Sequence, residues 1–224
     1  MSNLIIVEGP DFSGKSTQID LLDSRELYKD YSVFFTREPG SFLPNSCDVC
    51  EAIRKRILLT DNTLLEEAEL FARSRFIHTQ EIVEMLNRYK DATIICDRYI
   101  VSSFAYQGHA QGLSKETIYN LNKNTLDLLK ENNITIHCIK FTMPEDEWYR
   151  RKNKVASFRD FDKIEEKDIS EQVYEFFNDP DIFDYWTNDL DIKVYNVNAE
   201  HDKETVYKQF KNIVEMIREE SLWH

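Results

Sequence analysis

The sequence predicts an α/β fold, a doubly wound parallel sheet of five strands flanked by helices, on two observations. Five short apolar runs recur along the 224 residues, with helix-period segments between them. The runs are nearly continuous in apolar residues, as strands covered on both faces are. With 42% hydrophobic and 12% aromatic residues the chain can bury one sizeable core, and its length fits a single domain over residues 1–224 with a small lid.

Leu4–Val7 is the first run and stands directly before a Gly-rich turn. Ser32–Thr36 (SVFFT), Ala92–Cys96 (ATIIC), Ile134–Thr142 (ITIHCIKFT) and Lys193–Val197 (KVYNV) repeat its signature. Thr63–Leu86 reads as a helix: Thr63 and Glu66 have capping-box spacing, and Leu64, Leu65, Ala68, Phe71 and Ala72 recur at helical intervals. A further helical segment begins near Pro144 and carries Arg150 and Arg151. Beyond it Lys152–Asp168 has dense mixed charge and few apolar anchors, which marks about 150–168 as a candidate lid. There is no internal repeat or low-complexity linker.

The formal charge of -13 disfavours broad attraction to nucleic acid or anionic lipid, so an anionic ligand must meet a local cluster of Arg and Lys. No stretch approaches the ~18 apolar residues of a membrane span. The opening MSNLIIVEG lacks the basic flank and cleavage site of a signal peptide, and a cytoplasmic location is the expectation. Cys47 and Cys50 form one C-x-x-C pair, but no second pair or nearby histidines complete a zinc site.

Gly9-Pro10-Asp11-Phe12-Ser13-Gly14-Lys15-Ser16 fits G-x-x-x-x-G-K-[ST], after a strand and before a helical pattern, the context that identifies a P-loop. Gly9, Ser13, Gly14 and Thr17 supply backbone that can close around phosphate oxygens, Lys15 can reach the terminal phosphates, and the Ser16 hydroxyl can ligate Mg²⁺. A GTPase switch is disfavoured: Asn122-Lys123-Asn124-Thr125 lacks the Asp of N-K-x-D, and Asp97-Arg98-Tyr99-Ile100 is not D-x-x-G. Ligands of open parallel sheets bind beyond the carboxyl ends of the strands, where Thr36–Gly40 (TREPG) and Asp97–Gly108 (DRYIVSSFAYQG) both begin. Arg37 and Arg98 are therefore candidates to hold an acceptor phosphate, and Asp97 ends its strand as a Walker B carboxylate would, a candidate Mg²⁺ ligand through water. Phe71 and Arg75 share a helix face, where a ring and a guanidinium can stack a base and donate to its carbonyl.

The P-loop, TREPG, ELFARSRFIH (Glu69–His78) and DRYIVSSFAYQG together resemble the thymidylate kinase family, in order and spacing over residues 4–108, with a looser echo beyond. The resemblance implies ATP as donor, dTMP as acceptor, Mg²⁺, and a homodimer paired through helices. It gives Arg98 the acceptor phosphate, Phe71 and Arg75 the thymine, Ser102, Tyr106 and Gln107 the thymidine pocket, and Asp11 the neighbourhood of the sugar hydroxyl. It also suggests a cis bond before Pro39. A deoxynucleoside kinase, which needs a carboxylate base, typically has E-R-S in place of Asp97-Arg98-Tyr99. Several positions depart from the family pattern. Phe12 stands where some members have an Arg, Ser41 replaces a Gly, and Asp162–Glu165 (DKIE) stands where D-R-x-E is common. A catalytic cation is then expected among Arg150, Arg151, Lys154 and Arg159, with Arg150 and Arg159 the leading candidates. The acidic, aromatic stretch Glu171–Trp186 has no counterpart in the pattern.

Overall fold

A computed structural model describes residues 3–25, 32–40, 48–89, 91–156 and 169–222. The five expected strands form, each within a residue or two of the apolar run: β1 (Asn3–Glu8), β2 (Val33–Arg37), β3 (Thr93–Asp97), β4 (Thr135–Thr142) and β5 (Ile192–Asn198). All pair in parallel, in the order β2-β3-β1-β4-β5. Every residue of the central β1 is buried, which is why the run carries no polar alternation.

Side chains of successive strand residues face opposite sides, and the core divides accordingly. Leu4, Ile6, Ile94 and Cys138 pack on one side. The helices there include α3 (Leu64–Arg88), α5 (Lys115–Glu131), α7 (Ser170–Asn178) and α8 (Pro180–Thr187). Ile5, Val7, Ile95 and Phe141 pack on the other side, against α1 (Lys15–Ser24) and α9 (Lys203–Leu222). The capping box of α3 is present: the Thr63 N–H donates to Glu66 Oε2 at 2.9 Å, and the Glu66 N–H to Thr63 Oγ1 at 3.3 Å.

Three elements position the site. The helix α2 (Asp48–Leu59) packs on α3. After β3 a short α4 (Ile100–Ser103) runs into a π-helical turn, Phe104–Ala110. The helix α6 (Glu145–Ala156) follows Pro144 and carries Arg150–Lys154, as the sequence suggested. The rest of the expected lid, residues 157–168 with Arg159 and the DKIE stretch, lies outside the described residues, as do Ser41 and Cys47. Cys50 is buried on α2. The stretch without a counterpart forms α7 and α8, and its Phe176, Phe177 and Phe183 are core residues.

Candidate active site

The parallel register brings the chemistry to one edge of the sheet. Val7 and Arg37 both stand opposite Asp97, and Glu8 opposite Lys140, at the carboxyl ends of the strands. Gly9 turns the chain at φ +148, and a Cβ there would come within 2.7 Å of Phe141 O. Only glycine lets the loop leave β1 so close to β4. Within the loop, Lys15 Nζ donates to Gly9 O (2.9 Å), Pro10 O (2.8 Å) and Ser13 Oγ (3.3 Å). Burial, with Arg98 nearby, lowers its pKa to about 8.

Ser16 Oγ donates to Asp97 Oδ2 at 2.6 Å, while Asp97 Oδ1 is buried without a hydrogen-bond partner. A hydroxyl and a carboxylate with a spare lone pair, converging beside a phosphate cradle, fit a hard divalent cation. Ser16 and Asp97 are the residues that would hold Mg²⁺.

A cavity of about 200 Å³ opens beside the loop. Phe71, Arg75 and Gln107 line it, with Asp11, Arg98, Ser102 and Tyr106. Phe71 is half-buried and belongs to neither core cluster, so its helical spacing does not mark a core position. Arg75 is 1% exposed, with Nε on Glu38 Oε2 (2.7 Å), Nη1 on Asn122 Oδ1 (2.6 Å) and Nη2 on Tyr99 O (3.2 Å). Those bonds engage three of the five N–H groups of a guanidinium. Arg98 sits at φ 66 and pairs with Asp11, whose other oxygen accepts from the Tyr106 hydroxyl at 2.6 Å. Burial works against the Asp11 charge, but Arg98 and Lys15 outweigh it and hold the carboxyl below its usual range. The π-helical turn carries Tyr106 and Gln107, and Gln107 Nε2 donates to Glu67 Oε1 at 3.0 Å. The bond between Glu38 and Pro39 is cis.

Arg37 does not join this cavity. Its neighbours Thr36 and Glu38 are buried while Arg37 is exposed, the period-two alternation of a strand. Arg54 of α2 lines the cavity, its Nη1 2.5 Å from Pro39 O. Within the basic run Arg54-Lys55-Arg56 only helical phase distinguishes Arg54, which lies one residue from buried Ile53. Glu8 is also a residue the motifs did not single out. It is fully buried and its pKa is raised by burial to about 7, although the Ser102 hydroxyl and Arg98 favour the charged form.

A second, wider cavity of about 880 Å³ flanks the other side of the loop. Ser13 and Gly14 line it from the loop, Thr17 from α1, Arg150, Arg151 and Lys154 from α6, residues 200–202 from the turn before α9 and Lys203 from its start. Arg151 Nη1 donates to Ser13 O (3.3 Å) and Nη2 to Ala199 O (2.6 Å), so it ties the loop to that turn. Arg150 is 65% exposed and pairs with Glu147. Arg151 follows the buried Trp148 by three positions and faces inward with it. Trp148 Nε1 in turn donates to Asp11 O at 2.9 Å.

A sequence profile described as thymidylate kinase matches residues 7–207. The thymidylate kinase of Finegoldia magna is 42% identical over 123 residues, 53% of this chain and 57% of that protein. That of Staphylococcus haemolyticus is 44% identical over 124 residues, 54% of this chain and 57% of that protein. The chain thus spans little more than half the length of these curated relatives. The crystal structure of thymidylate kinase from Ehrlichia chaffeensis superposes with a TM-score of 0.61 at 24% identity, covering 96% of this chain and 98% of that one, a likeness of fold.

Proposed function

The chain belongs to the thymidylate kinase family, and from that premise we propose that it transfers the γ-phosphoryl group of ATP to the 5′-phosphate of dTMP, giving dTDP and ADP for dTTP synthesis. The observation that carries this reading is the pairing of two cavities on either side of one P-loop, with Arg98 and Asp11 in the smaller. The larger suits ATP: its phosphates meet the loop amides and Lys15, and its base lies towards residues 200–203. The smaller suits a monophosphate, with Arg98 and Arg54 for the phosphate, Phe71 for stacking, Arg75 and Gln107 for the base, and Ser102, Tyr106 and Asp11 around the sugar.

The acceptor is already ionised near neutral pH, so no general base is required. Catalysis rests on bringing two anions together and neutralising the charge that builds on the transferring group. Lys15 and Arg98 supply fixed positive charge, and Arg151 orients the loop that carries Lys15. Mg²⁺ held by Ser16 and Asp97 would supply further neutralisation of the donor phosphates. Arg150 and Arg159 remain proposals for a cation closing over the site.

We read the chain as one cytoplasmic kinase domain; among the described residues no helix is long and apolar enough to cross a membrane. A homodimer is also proposed. Of the apolar residues of α3 that such pairing would use, Val83 is buried in the core, whereas Leu70, Phe76 and Ile77 are only partly buried and belong to neither core cluster, and Leu59 and Leu65 nearby are exposed. Light scattering should give twice the 26.6 kDa of one chain, and the single mass would refute the dimer. For the activity, a coupled ADP-release assay across nucleosides and their monophosphates should show turnover with dTMP and none with thymidine. Turnover with thymidine in place of dTMP would make the protein a nucleoside kinase.

A further inference from the structure

The helix that follows Arg98 begins without a cap of its own. Its N-cap residue, Tyr99, makes no side-chain capping bond, and its phenol instead meets the Thr79 hydroxyl. The first N–H groups of a helix need acceptors, above all when buried. Here they find one 91 residues away in sequence: the Tyr99 N–H donates to Glu8 Oε1 at 2.7 Å, and the Ser102 N–H to the same oxygen at 3.3 Å. The second carboxyl oxygen, Oε2, accepts from the Ser102 hydroxyl at 2.6 Å. With its proton committed to Glu8, Ser102 Oγ turns a lone pair outward, and Arg98 Nη1 donates to it at 3.3 Å.

Arg98 needs such support, because its backbone sits in the left-handed region at φ 66. Glu8 immediately precedes Gly9, yet its hydrogen bonds go to residues 99 and 102 and none of them to the P-loop. On the reading given above, we propose that Glu8 is a positioning residue for the acceptor phosphate: it caps α4 across the sheet and, through Ser102, adds a hold on the guanidinium of Arg98, which also donates to Gly9 O at 3.2 Å and pairs with Asp11. Its location at the root of the donor loop would suggest a role towards ATP, and the bonding pattern argues against that role.

The substitution Glu8→Gln separates the two jobs. Gln keeps a carbonyl oxygen for the Tyr99 and Ser102 N–H groups, but its amide NH₂ donates to Ser102 Oγ, so the Ser102 proton loses its carboxylate acceptor and is free to turn towards the side from which Arg98 Nη1 donates. Ser102→Ala removes the relay and leaves the cap. Binding of dTMP is measured by calorimetry without ATP, and both KM values by the coupled assay, at pH 8.5 where the Glu8 carboxylate is ionised, for wild type, Glu8→Gln, Ser102→Ala and the double variant. We expect Glu8→Gln to weaken dTMP about tenfold in Kd and KM while the KM for ATP stays within about twofold. Ser102→Ala should move dTMP the same way, and the double variant should be no weaker than the weaker single, since both act on one contact. Equal loss towards ATP and dTMP, unchanged dTMP binding in Glu8→Gln, or additive losses in the double variant would each overturn the proposal. Ser102→Ala keeps the test open should Glu8→Gln fold poorly. Failure of the wild type itself to bind or phosphorylate dTMP would overturn the kinase reading and this inference with it, an outcome distinct from normal wild-type turnover with insensitive variants.

Discussion

Lys15 illustrates how a single residue serves the loop and the chemistry at once: its ammonium lies between Gly9 O and Pro10 O, and the same charge is what the γ-phosphate would meet. Lys15→Ala should lower kcat on the order of 10²-fold or more, the scale of deleting a preorganised electrostatic contact, and a kcat within a few-fold of wild type would remove Lys15 from the mechanism. Arg75 carries a second burden. It neutralises Glu38, which is buried and has an oxygen without a hydrogen-bond partner. Arg75→Ala alone should therefore cost stability on the order of 3–5 kcal/mol by leaving that carboxylate with only the His78 ring, 3.5 Å from Oε1, beside it, and a raised KM for dTMP would be confounded by unfolding. Combining Arg75→Ala with Glu38→Gln should recover much of the melting temperature without recovering dTMP affinity. Recovery of both would mean that Arg75 supports the pocket without touching the base. Glu8 gives a pH signature. Its folded pKa of about 7 lies above the ordinary glutamate value of 4.5, so between these values the folded state holds the proton more tightly and stability falls as pH rises. Glu8→Gln does not titrate, and its stability relative to wild type should rise from pH 5 to pH 7.5, by up to about 1.4 kcal/mol per unit in that window. Urea denaturation at both values measures it, and a relative stability that fell over that range would mean that the carboxyl is held ionised.

Among the elements, the strands were legible because central parallel strands must be apolar on both faces, and a continuous run such as LIIV has few other uses in a chain this short. The capping box of α3 was legible because it is local, two residues three positions apart satisfying each other. Elements whose burial depends on distant partners were not. In α7 and α8 the acidic residues suggest a surface, yet Phe176, Phe177 and Phe183 fill the space over β4, and Trp186 packs on the π-helical turn that carries Tyr106 and Gln107. Arg37 and Arg54 show the same limit within the site. A strand end points to the ligand edge, but alternation decides which side chain enters, and α2 offers three consecutive basic residues of which one reaches the cavity. The contact of Trp186 with the turn is testable as an element-level coupling. A Cβ on Gly108 would lie 2.7 Å from the Trp186 ring, so Gly108→Ala must swing that ring aside, push α8 away or bend the turn. We expect Gly108→Ala to lower the melting temperature and raise the KM for dTMP. In a Trp186→Ala background the same substitution should cost far less, a coupling on the order of 1 kcal/mol or more. Additive effects would show that the two elements do not bear on each other.

Across the whole molecule, a chain of formal charge -13 gathers cations around two cavities at one edge of the sheet, where the proposed reaction would bring two anions. Arg54, Arg75 and Arg98 line the smaller cavity, and Arg150, Arg151, Lys154 and Lys203 the larger. The remaining acidic surface repels other polyanions, and the local field over each cavity is what the ligand meets. The strand order makes this possible: β1 lies between β3 and β4, so the loop after β1 has one cavity on the β3 side and another on the β4 side. Each site should then report separately in the stability of the fold. A ligand that binds only the folded state, at 100 times its Kd, adds about 2.7 kcal/mol. For a chain of this size that corresponds to a rise of roughly 5–10 °C in melting temperature, at about 2–4 °C per kcal/mol. ADP and dTMP allow the rise to be measured without turnover. Arg151 anchors the donor side through Ser13 O and Ala199 O, whereas Arg54 lies on the acceptor side against Pro39 O. Each variant's rise is taken above its own baseline, which removes the stability lost with the internal bonds. Arg151→Ala should then abolish most of the rise produced by ADP and leave that produced by dTMP, and Arg54→Ala should do the reverse. If either substitution reduced both rises equally, the cavities would be one cooperative pocket, and the assignment of donor and acceptor to opposite sides of the loop would have to be abandoned.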